Sequence, residues 1–437
     1  MKNIPETADA SGLEPVHPRD RVWLQDDETN LMVINSIFTL DTIQVEDLRR
    51  VWQERVLDAR IGEVAPYARF TKTVARRGRR LFWRVDEDFD IKRHIFTLKG
   101  EGLGSRQGLQ DYIGEEASKP LSFEIPPWQL QLVENFADGQ SAVISRTHHV
   151  YGDGMGLLPV VLSLMDLDEA GSHQPPKTRG VGGKMWQVAT KSALVGGPLL
   201  ASRALAPADE SLFHGPPLSG EKRFAWTPGL DLGEIKAAKN RLAATVNDVL
   251  MTAVAGGLRR YAVRRDEDVP ESFRVSMPVN VRHPDSPPTM DNRFGAVLVE
   301  LPVGIADDRK RLLEVKRRMD GLKRSVEPFV YYGSIHVVLS ALPAVLGRGL
   351  VDFYAQKCSA VMSNVPGPQD PLWLAGRRVR SMLFWVPQRA NIGLGISIFS
   401  FAGEVRIGLY ADAAVVPEPA ELIADIEAAL EHLMKRA

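Results

Sequence analysis

The sequence predicts an α/β protein, because segments with helical and with strand periodicity alternate through both halves of the chain. A length of 437 residues suggests two domains, or one large pseudo-symmetric body, with ample core. Residues 170–184 are rich in Gly and Pro and form the clearest linker. We therefore expect an N-terminal unit over 1–170, a linker or crossover over 171–212, and a C-terminal unit over 213–437.

Composition excludes several classes of protein. The chain is 44% hydrophobic and 25% charged, with a net charge of -1 that argues against nucleic acid as its main partner. A single cysteine, Cys358, cannot form an intramolecular disulfide and fits a reducing compartment. The first 15 residues lack the apolar core of a signal peptide, and no window reaches the roughly 18 to 20 apolar residues of a membrane span. We expect a cytoplasmic protein.

In the N-terminal half, apolar residues at helical spacing predict an amphipathic helix over 41–59. Residues 69–85 predict a β-hairpin with a basic tip, Arg76-Arg77-Gly78-Arg79-Arg80. That tip is either a solvated turn or a contact for phosphates or an anionic membrane surface. Residues 185–206 predict a core or inter-domain helix or, because few charges interrupt them, an interfacial membrane helix.

The C-terminal half continues the alternation of helices and strands. Helices are predicted over 230–241, 245–261 and 309–322, and Thr245 is a plausible N-cap of the second. Strands are predicted over 273–279, 296–303, 360–364, 393–400 and 404–410.

The most specific motif is His-His-Val-Tyr-Gly-Asp-Gly at residues 148–154. Residues 140–147 predict a strand and 155–168 a buried helix, so the motif lies at a strand-to-helix junction, where side chains can be exposed on a rigid frame. Histidine takes up a proton near neutral pH, with an unperturbed pKa of about 6.5. Asp153 can hold a neighbouring imidazole or arginine in place.

A histidine at the end of a strand can act as a general base on an alcohol or thiol. Acyl transfer also needs an oxyanion donor and a pocket that keeps water out. The chain has no Gly-x-Ser-x-Gly elbow, no P-loop and no His-Glu-x-x-His. Because neighbours on an extended chain point to opposite sides, only one of the two histidines should face a given ligand. A metal site and a structural pair of buried histidines are the alternatives.

Together with other segments, this motif resembles the bacterial wax ester synthase/acyl-CoA:diacylglycerol acyltransferase family. That family belongs to the coenzyme A-dependent acyltransferase superfamily, which includes chloramphenicol acetyltransferase and peptide-synthetase condensation domains. The likeness extends over nearly the whole chain. Besides His148-His149-x-x-x-Asp153-Gly154, the ordered matching segments are Asp20-Arg21-Val22-Trp23-Leu24, Phe89-Asp90-Ile91-Lys92-Arg93-His94, Thr245-Val246-Asn247-Asp248-Val249-Leu250, Pro278-Val279-Asn280-Val281-Arg282, Asp291-Asn292-Arg293-Phe294-Gly295 and Ser363-Asn364-Val365-Pro366-Gly367-Pro368.

One segment departs from the family pattern. The family commonly has Pro-Leu-Asp followed by Pro-Leu-Trp, whereas here Ser122 takes the aspartate position and Pro127 the middle leucine. Trp128 is retained, and the resemblance makes it a candidate substrate-binding residue, with a core position as the alternative. Because this region is associated with the acyl-substrate path, chain-length preference and the class of acceptor stay open.

The resemblance implies two chloramphenicol-acetyltransferase-like subdomains, with mixed sheets flanked by helices and an active-site tunnel at their interface. It implies transfer of a long-chain acyl group from acyl-CoA to a fatty alcohol or diacylglycerol, with no metal and no cofactor beyond the co-substrate acyl-CoA. Peripheral contact with the inner face of a membrane or with a lipid droplet is compatible with it. The alternatives are an acyltransferase for a secondary-metabolite alcohol and a non-catalytic lipid-binding relative.

The resemblance also implies roles for the motif residues. His149 is the implied general base that takes the proton of the acceptor hydroxyl, and His148 supports the site. Asp153 is architectural, with Arg282 as its candidate partner, and Gly154 permits close approach of the substrate.

Two further residues of the matching segments are candidates for substrate binding. Asn247 and Asp248 are implied to lie on a helix that faces the channel, with Asn247 a candidate oxyanion donor. The alternative for both is helix capping and hydrogen bonding between helices.

Overall fold

The computed structural model describes residues 4–7, 12–137, 139–167, 205, 207–209, 211–283, 289–323, 325, 327–333, 349, 352–353 and 355–436. The predicted linker over 170–184 lies outside the described residues, as does the predicted helix over 185–206 apart from residue 205. Helices and strands alternate in both halves, which confirms the predicted α/β class.

The main helices, in chain order, are α1 (Pro18–Arg21), α2 (Val45–Trp52), α3 (Arg106–Ala117), α4 (Gly154–Leu164), α5 (Leu232–Arg241), α6 (Val246–Arg264), α7 (Asp308–Leu322) and α8 (Pro419–Lys435). The strands are β1 (Glu14–Pro15), β2 (Val33–Asp41), β3 (Lys72–Arg77), β4 (Arg80–Val85), β5 (Ile95–Thr97), β6 (Trp128–Phe136), β7 (Gln140–His148), β8 (Lys222–Trp226), β9 (Leu230–Asp231), β10 (Phe273–Asn280), β11 (Phe294–Leu301), β12 (Ala360–Pro366), β13 (Trp373–Leu374), β14 (Arg377–Trp385), β15 (Leu394–Phe401) and β16 (Glu404–Asp412).

Most predicted elements are confirmed, with shifted ends. The predicted helix over 41–59 begins only at Val45, because Asp41 still belongs to β2, and it continues beyond α2 as a π-helical turn over Gln53–Leu57. The hairpin over 69–85 is present as β3 and β4, and its turn places Gly78 at a φ of +59°, which favours glycine. The predicted N-cap Thr245 is confirmed at the start of α6.

Two large mixed sheets organise the molecule. The first has six strands in the order β13-β14-β2-β7-β6-β5, antiparallel except for the β5–β6 pair. The second has seven strands, in the order β11-β10-β12-β15-β16-β8 with β9 beside β16, and its central pairs β10–β12 and β12–β15 are parallel. A three-stranded sheet, β1-β4-β3, completes the N-terminal half.

Two strands of the C-terminal half, β13 and β14, belong to the first sheet. β14 pairs antiparallel with β2, so that Leu383 lies opposite Ile37 and Met382 opposite Phe38. These apolar side chains are buried in the core of the first sheet. The predicted unit over 213–437 therefore does not coincide with one sheet, because its residues 373–385 form strands of the first sheet, whose other strands come from the N-terminal half.

The second core lies under α6 and α8, which pack against each other at Gly257. A Cβ at that position would lie 2.7 Å from the Cα of Ile426, so only glycine allows the two helices to come this close. Among the described helices, none combines the length and the apolar character that crossing a bilayer requires.

Candidate active site

The His149 loop, residues 148–154, joins β7 to α4. β7 ends at His148, a 3₁₀ turn covers His149–Tyr151, and α4 begins at Gly154 with Asp153 as its N-cap. The predicted strand-to-helix junction is therefore confirmed. The helix ends at Leu164, earlier than the predicted residue 168.

His149 is buried against the ring of Trp23, a residue near the start of the chain. Its imidazole stacks on Trp23 with ring centroids 3.9 Å apart, and its Nδ1 atom is enclosed without a hydrogen-bond partner among the described residues. Burial lowers the pKa of His149 to about 4, against the opposing effect of the Asp153 carboxylate. The imidazole is therefore neutral at pH 7 and can accept a proton.

His148 points away from His149 and is held by a carboxylate. The Val150 amide donates to Nδ1 of His148 (3.2 Å), so Nε2 carries the proton and donates to Oδ2 of Asp26 (3.1 Å). Burial acts to raise the pKa of Asp26, but His148 and the Met32 amide (2.6 Å) outweigh it and hold that pKa below its usual value. His148 thus anchors the loop through its contact with Asp26.

Asp153 forms a buried ion pair across the two halves of the chain. Its Oδ2 accepts from Nη1 of Arg282 (3.0 Å) and from the Arg293 amide (2.8 Å), while Oδ1 accepts from the Gly156 amide (2.8 Å). Arg282, whose side chain is 10% exposed, also contacts Asp291. The predicted Asp153–Arg282 pair is confirmed, and its geometry is architectural.

A second cross-link holds the backbone of His149 itself. Nδ2 of Asn292 donates to the carbonyl oxygen of His149 (3.1 Å) and to Oδ1 of Asp20 (3.0 Å). Burial raises the pKa of Asp20, against the neighbouring Arg69 guanidinium (3.3 Å). Asp20, Trp23 and Asn292 lie in segments that resemble the family, but their roles could not be predicted from the sequence, because contacts between distant segments leave no local signal.

A cavity of about 500 Å³ lies between the two halves, as the predicted interface site requires. His149, Gly154 and Trp23 contribute to it from the N-terminal half, and Phe294 and Asn364 from the C-terminal half. His148 is not part of its lining, so only one histidine of the pair faces the cavity. At Gly154, apart from the adjoining residues and the backbone of α4 itself, nothing lies within 4 Å of the position that a Cβ would take, which leaves room for a ligand.

Asn247 and Asp248 lie on α6 behind the cavity rather than in its wall. Nδ2 of Asn247 donates to Sδ of Met251 (3.2 Å), and its Oδ1 accepts from Nδ2 of Asn364 (2.7 Å), which does line the cavity. Asp248 is fully buried in a capping box with Thr245 (2.9 and 3.1 Å). The expectation that both face the channel is corrected: Asn247 orients Asn364, and Asp248 caps a helix.

Trp128 is a core residue and does not line the cavity between the two halves. Its ring stacks on His94 (4.4 Å) and Trp52 (4.8 Å), and its Nε1 donates to the Phe70 carbonyl oxygen (2.8 Å). The prediction that Trp128 binds substrate is therefore replaced by the alternative, because β6 directs this side chain into the core.

The remaining chemistry of the site is limited. Within the described residues, no three His, Cys, Asp or Glu side chains are grouped so as to hold a metal ion. Cys358 lines the cavity, but burial raises the pKa of its thiol to about 12, so it stays protonated at neutral pH. The arrangement offers one neutral, buried imidazole facing a largely apolar cavity.

Comparison with known families matches two parts of the chain. Residues 20–198 match the profile of the wax ester synthase/diacylglycerol acyltransferase catalytic domain, and residues 290–434 match that family's C-terminal domain. Together the two matches cover most of the chain. All the matching segments noted in the sequence, except those between residues 198 and 290, fall within them.

Two named relatives agree with these matches. A probable diacylglycerol O-acyltransferase of Mycobacterium tuberculosis is 26% identical over 378 residues, covering 80% of this chain and 81% of the relative. A putative diacylglycerol O-acyltransferase of the same organism is 28% identical over 385 residues, covering 81% of each.

Among solved structures, the wax ester synthase/diacylglycerol acyltransferase of Marinobacter aquaeolei is 21% identical and has a TM-score of 0.68, covering 96% of this chain and 98% of its own. The first condensation domain of the calcium-dependent antibiotic synthetase has a TM-score of 0.61 at 15% identity, covering 98% and 96%. At these identities the likeness establishes the fold, and it agrees with the two mixed sheets described above.

Proposed function

Because the chain belongs to the wax ester synthase/diacylglycerol acyltransferase family, we propose that it transfers a long-chain acyl group from acyl-CoA to the hydroxyl group of a fatty alcohol or a diacylglycerol. The observation that carries this proposal is the neutral, buried imidazole of His149 on the wall of a cavity shared by both halves. The reaction needs acyl-CoA as co-substrate and no further cofactor.

The chemistry follows from the state of His149. Its Nδ1 atom is enclosed, so Nε2 is the nitrogen left to accept the proton of the acceptor hydroxyl. The hydroxyl oxygen then attacks the thioester carbonyl carbon, the tetrahedral intermediate collapses, and the carbon–sulfur bond breaks. The proton held by His149 passes to the departing thiolate, which leaves as free coenzyme A, while the ester remains.

The cavity supports this reaction in a second way. Trp23 stacks on the His149 ring, and Phe294 lies 6.1 Å from that ring and 5.5 Å from Trp23, so two aromatic rings cover one side of the imidazole. Exclusion of water limits hydrolysis of the thioester and strengthens electrostatic interactions within the site. Asn364, held by Asn247, places a polar amide on the same wall.

Release of free thiol tests the proposal. The purified protein is incubated with palmitoyl-CoA and either hexadecanol or a diacylglycerol, and products are separated by thin-layer chromatography. Thiol release together with a wax ester or a triacylglycerol is the expected result, and the productive acceptor identifies the activity. Binding of acyl-CoA without release of thiol would favour a lipid-binding protein, and release only with other alcohols would favour a secondary-metabolite acyltransferase.

The pKa of His149 predicts the pH dependence of catalysis. Because the base must be neutral, kcat/KM should be constant from pH 6 to 8 and fall to half near pH 4, the pKa given by burial. A pH–rate profile with a stable buffer series measures this. A midpoint near the ordinary histidine pKa of about 6.5 would show that His149 is solvated in the working enzyme.

The same pKa shift has a consequence for stability. The pKa of His149 is lower in the folded protein than in the unfolded chain. Its contribution to the stability of the fold is therefore fully present at pH values above the unfolded pKa. This contribution is lost as the pH falls from about 6.5 towards 4, because the unfolded chain takes up the proton first. Chemical denaturation at pH 7 and pH 4.5 should show it, and His149→Gln should reduce the difference.

We further propose that the protein contacts the cytoplasmic face of a membrane or a lipid-droplet surface through its basic hairpin tip. Arg77, Arg79 and Arg80 are exposed there, whereas Arg76 pairs with Glu6 (2.9 Å). Such arginines add about 1 kcal/mol each near an anionic bilayer. Their replacement by Gln should weaken co-sedimentation with phosphatidylglycerol vesicles by about two orders of magnitude.

A control variant tests whether the position of the three arginines matters for vesicle binding, or only the loss of positive charge. The control replaces an equal number of basic residues on α5, namely Lys236, Lys239 and Arg241, by Gln. Equal loss of vesicle binding in both triple variants would contradict a specific role for the tip. Binding to neutral phosphatidylcholine vesicles should be weak for all three proteins.

A further inference from the structure

Residues 25–32, here called the clamp loop, lie between α1 and β2 and contact both the His149 loop and the C-terminal half. The middle of the clamp loop is a tight turn, in which Oδ1 of Asp27 accepts from the amides of Thr29 (2.9 Å) and Asn30 (2.6 Å). Leu31 and Met32, which follow the turn, are buried. Because the turn is closed by its own side chain and packed tightly, a displacement at one end of the loop is transmitted to the other end.

At one end of the clamp loop, the Asp26 carboxylate fixes both sides of the peptide bond between the two histidines. Its Oδ2 accepts from Nε2 of His148 (3.1 Å), and its Oδ1 accepts from the amide of Met32 (2.6 Å). The carbonyl oxygen of Met32 in turn accepts from the amide of His149 (2.7 Å). One carboxylate therefore holds the side chain of His148 directly and the backbone of His149 through Met32. Hydrogen bonds to a charged acceptor are about twice as strong as neutral ones.

At the other end of the clamp loop, the Asn30 side chain is buried against the C-terminal half. Its Nδ2 donates to the carbonyl oxygens of Ala390 (2.8 Å) and Ile392 (3.1 Å), and its Oδ1 accepts from Nζ of Lys222 (2.8 Å). Lys222 is only 3% exposed and also pairs with Asp412 (3.3 Å). Because buried polar groups lose free energy when they lose their partners, Asn30 has one well-defined place on the C-terminal half.

We propose that Asp26 and Asn30 are positioning residues of the acyl transfer, through which the C-terminal half sets the place of the His149 ring. Asn30 docks the clamp loop on that half, and Asp26 fixes the His149 loop to the clamp loop. Neither residue lines the cavity, so both act through His149 rather than on the substrate. This inference rests on the proposed function and adds to it how the base is aligned. A displacement of about 1 Å can cost on the order of 10² in rate.

Two variants test the two ends of the clamp loop. Asn30→Ala removes the three hydrogen bonds of that side chain to the C-terminal half. Asp26→Asn keeps the size of the side chain but can satisfy only one of the donors His148 and Met32, because they bind different oxygens of Asp26 and an amide has one oxygen. In each variant, kcat per folded molecule should fall on the order of 10²-fold, with little change in KM for palmitoyl-CoA.

A double variant tests whether the two residues act along one path. If Asn30 acts through Asp26, the double variant should lose no more kcat than the more damaging single variant. Losses that multiply would show that the two residues act separately and would overturn the inference. Asp26→Glu retains the carboxylate, and the Asp26 side chain is 25% exposed, so there is room for the longer residue. It should recover most of the kcat that Asp26→Asn loses, which a general loss of stability would not predict.

Asp308 provides a matched control for Asp26. It too is a carboxylate that holds a histidine, His432, and it pairs with Arg311 (2.7 Å), but it belongs to α7 and lies outside the lining of the cavity. Asp308→Asn should therefore reduce stability while kcat per folded molecule stays near that of the wild type. An equal loss of kcat in Asp308→Asn and Asp26→Asn would contradict a positioning role.

Lys222→Met approaches the Asn30 contact from the C-terminal side and serves if Asn30→Ala does not fold. It removes the ammonium group that Asn30 accepts from, while Asp412 keeps its hydrogen bonds from the amides of Ser219 and Gly220 (2.9 Å each). Like Asn30→Ala, it should lower kcat with little change in KM. If the folded variants of Asn30 and Lys222 both keep the wild-type kcat, the C-terminal half does not position His149.

A measurement without substrate separates this inference from the proposed function. Diethyl pyrocarbonate modifies imidazoles, and peptide mass spectrometry gives the rate at His149 in each variant. A loosened loop should let His149 react faster in Asn30→Ala and Asp26→Asn than in the wild type and Asp308→Asn. If the wild type releases no thiol with any substrate, the proposed function fails, and this rate alone decides the inference. Equal rates in all four proteins would then overturn it.

Discussion

His149→Ala is expected to lower kcat for ester formation about 10³-fold, since a positioned general base contributes roughly 10²- to 10⁴-fold. The substitution removes the imidazole that lines the cavity and leaves the Asn292 hydrogen bond to the backbone of residue 149 in place. Thiol release from palmitoyl-CoA measures the effect. Circular dichroism in the near ultraviolet checks that the fold is retained.

His94 provides a matched control for this substitution. It is also a buried imidazole that stacks on a tryptophan, and burial lowers its pKa as well, but it does not line the cavity that contains His149. His94→Ala should reduce stability while kcat per folded molecule stays near that of the wild type. If both variants lost activity to the same degree, or if folded His149→Ala stayed active, the assignment of His149 as base would be wrong.

Asp153→Ala should lower the free energy of unfolding by up to about 3 kcal/mol, because it removes one of the two buried carboxylates, Asp153 and Asp291, that Arg282 contacts. The variant also loses the N-cap of α4, a contribution of about 1 kcal/mol. Urea denaturation at pH 7 measures the sum. Activity should fall too, since the pair holds the His149 loop against the C-terminal half.

Two comparisons test the cause of that destabilisation. Asp41→Ala breaks the exposed pair with Arg380 (2.7 Å) and should change stability by no more than about 1 kcal/mol. Replacing Asp153 and Arg282 together by Asn and Leu removes both charges and should recover part of the lost stability. Equal losses in Asp41→Ala and Asp153→Ala would contradict a buried, structural ion pair.

Several features of the site could be predicted because they depend on neighbouring residues. Strand periodicity before residue 148 and an apolar run after residue 154 indicated the junction, and alternation along a strand separated His148 from His149. Capping residues likewise act within one turn, which is why Thr245 was identified correctly. The partner of Asp153 was found because Arg282 lies in a segment that resembles the family.

Other features depended on contacts that sequence periodicity does not encode. Trp128 occupies a segment associated with the substrate path, yet its neighbours Trp52, Phe70 and His94 come from three separate segments and enclose it in the core. Asn247 lies on the expected helix, but the hydrogen bond from Asn364, 117 residues away, places it behind the cavity wall.

By itself, the sequence determined the α/β class, the strand-to-helix position of the motif, and the choice of His149 over His148. The α/β class and the position of the motif follow from periodicity, capping and alternation within about 20 residues, whereas the choice of His149 came from the resemblance to the family. Only the tertiary structure decided that β14 joins the N-terminal sheet, that Asn292 holds the backbone of His149, and that residues of both halves line one cavity beside His149. These depend on where distant segments pack, which is set by the burial of the two cores as a whole rather than by any one stretch of chain.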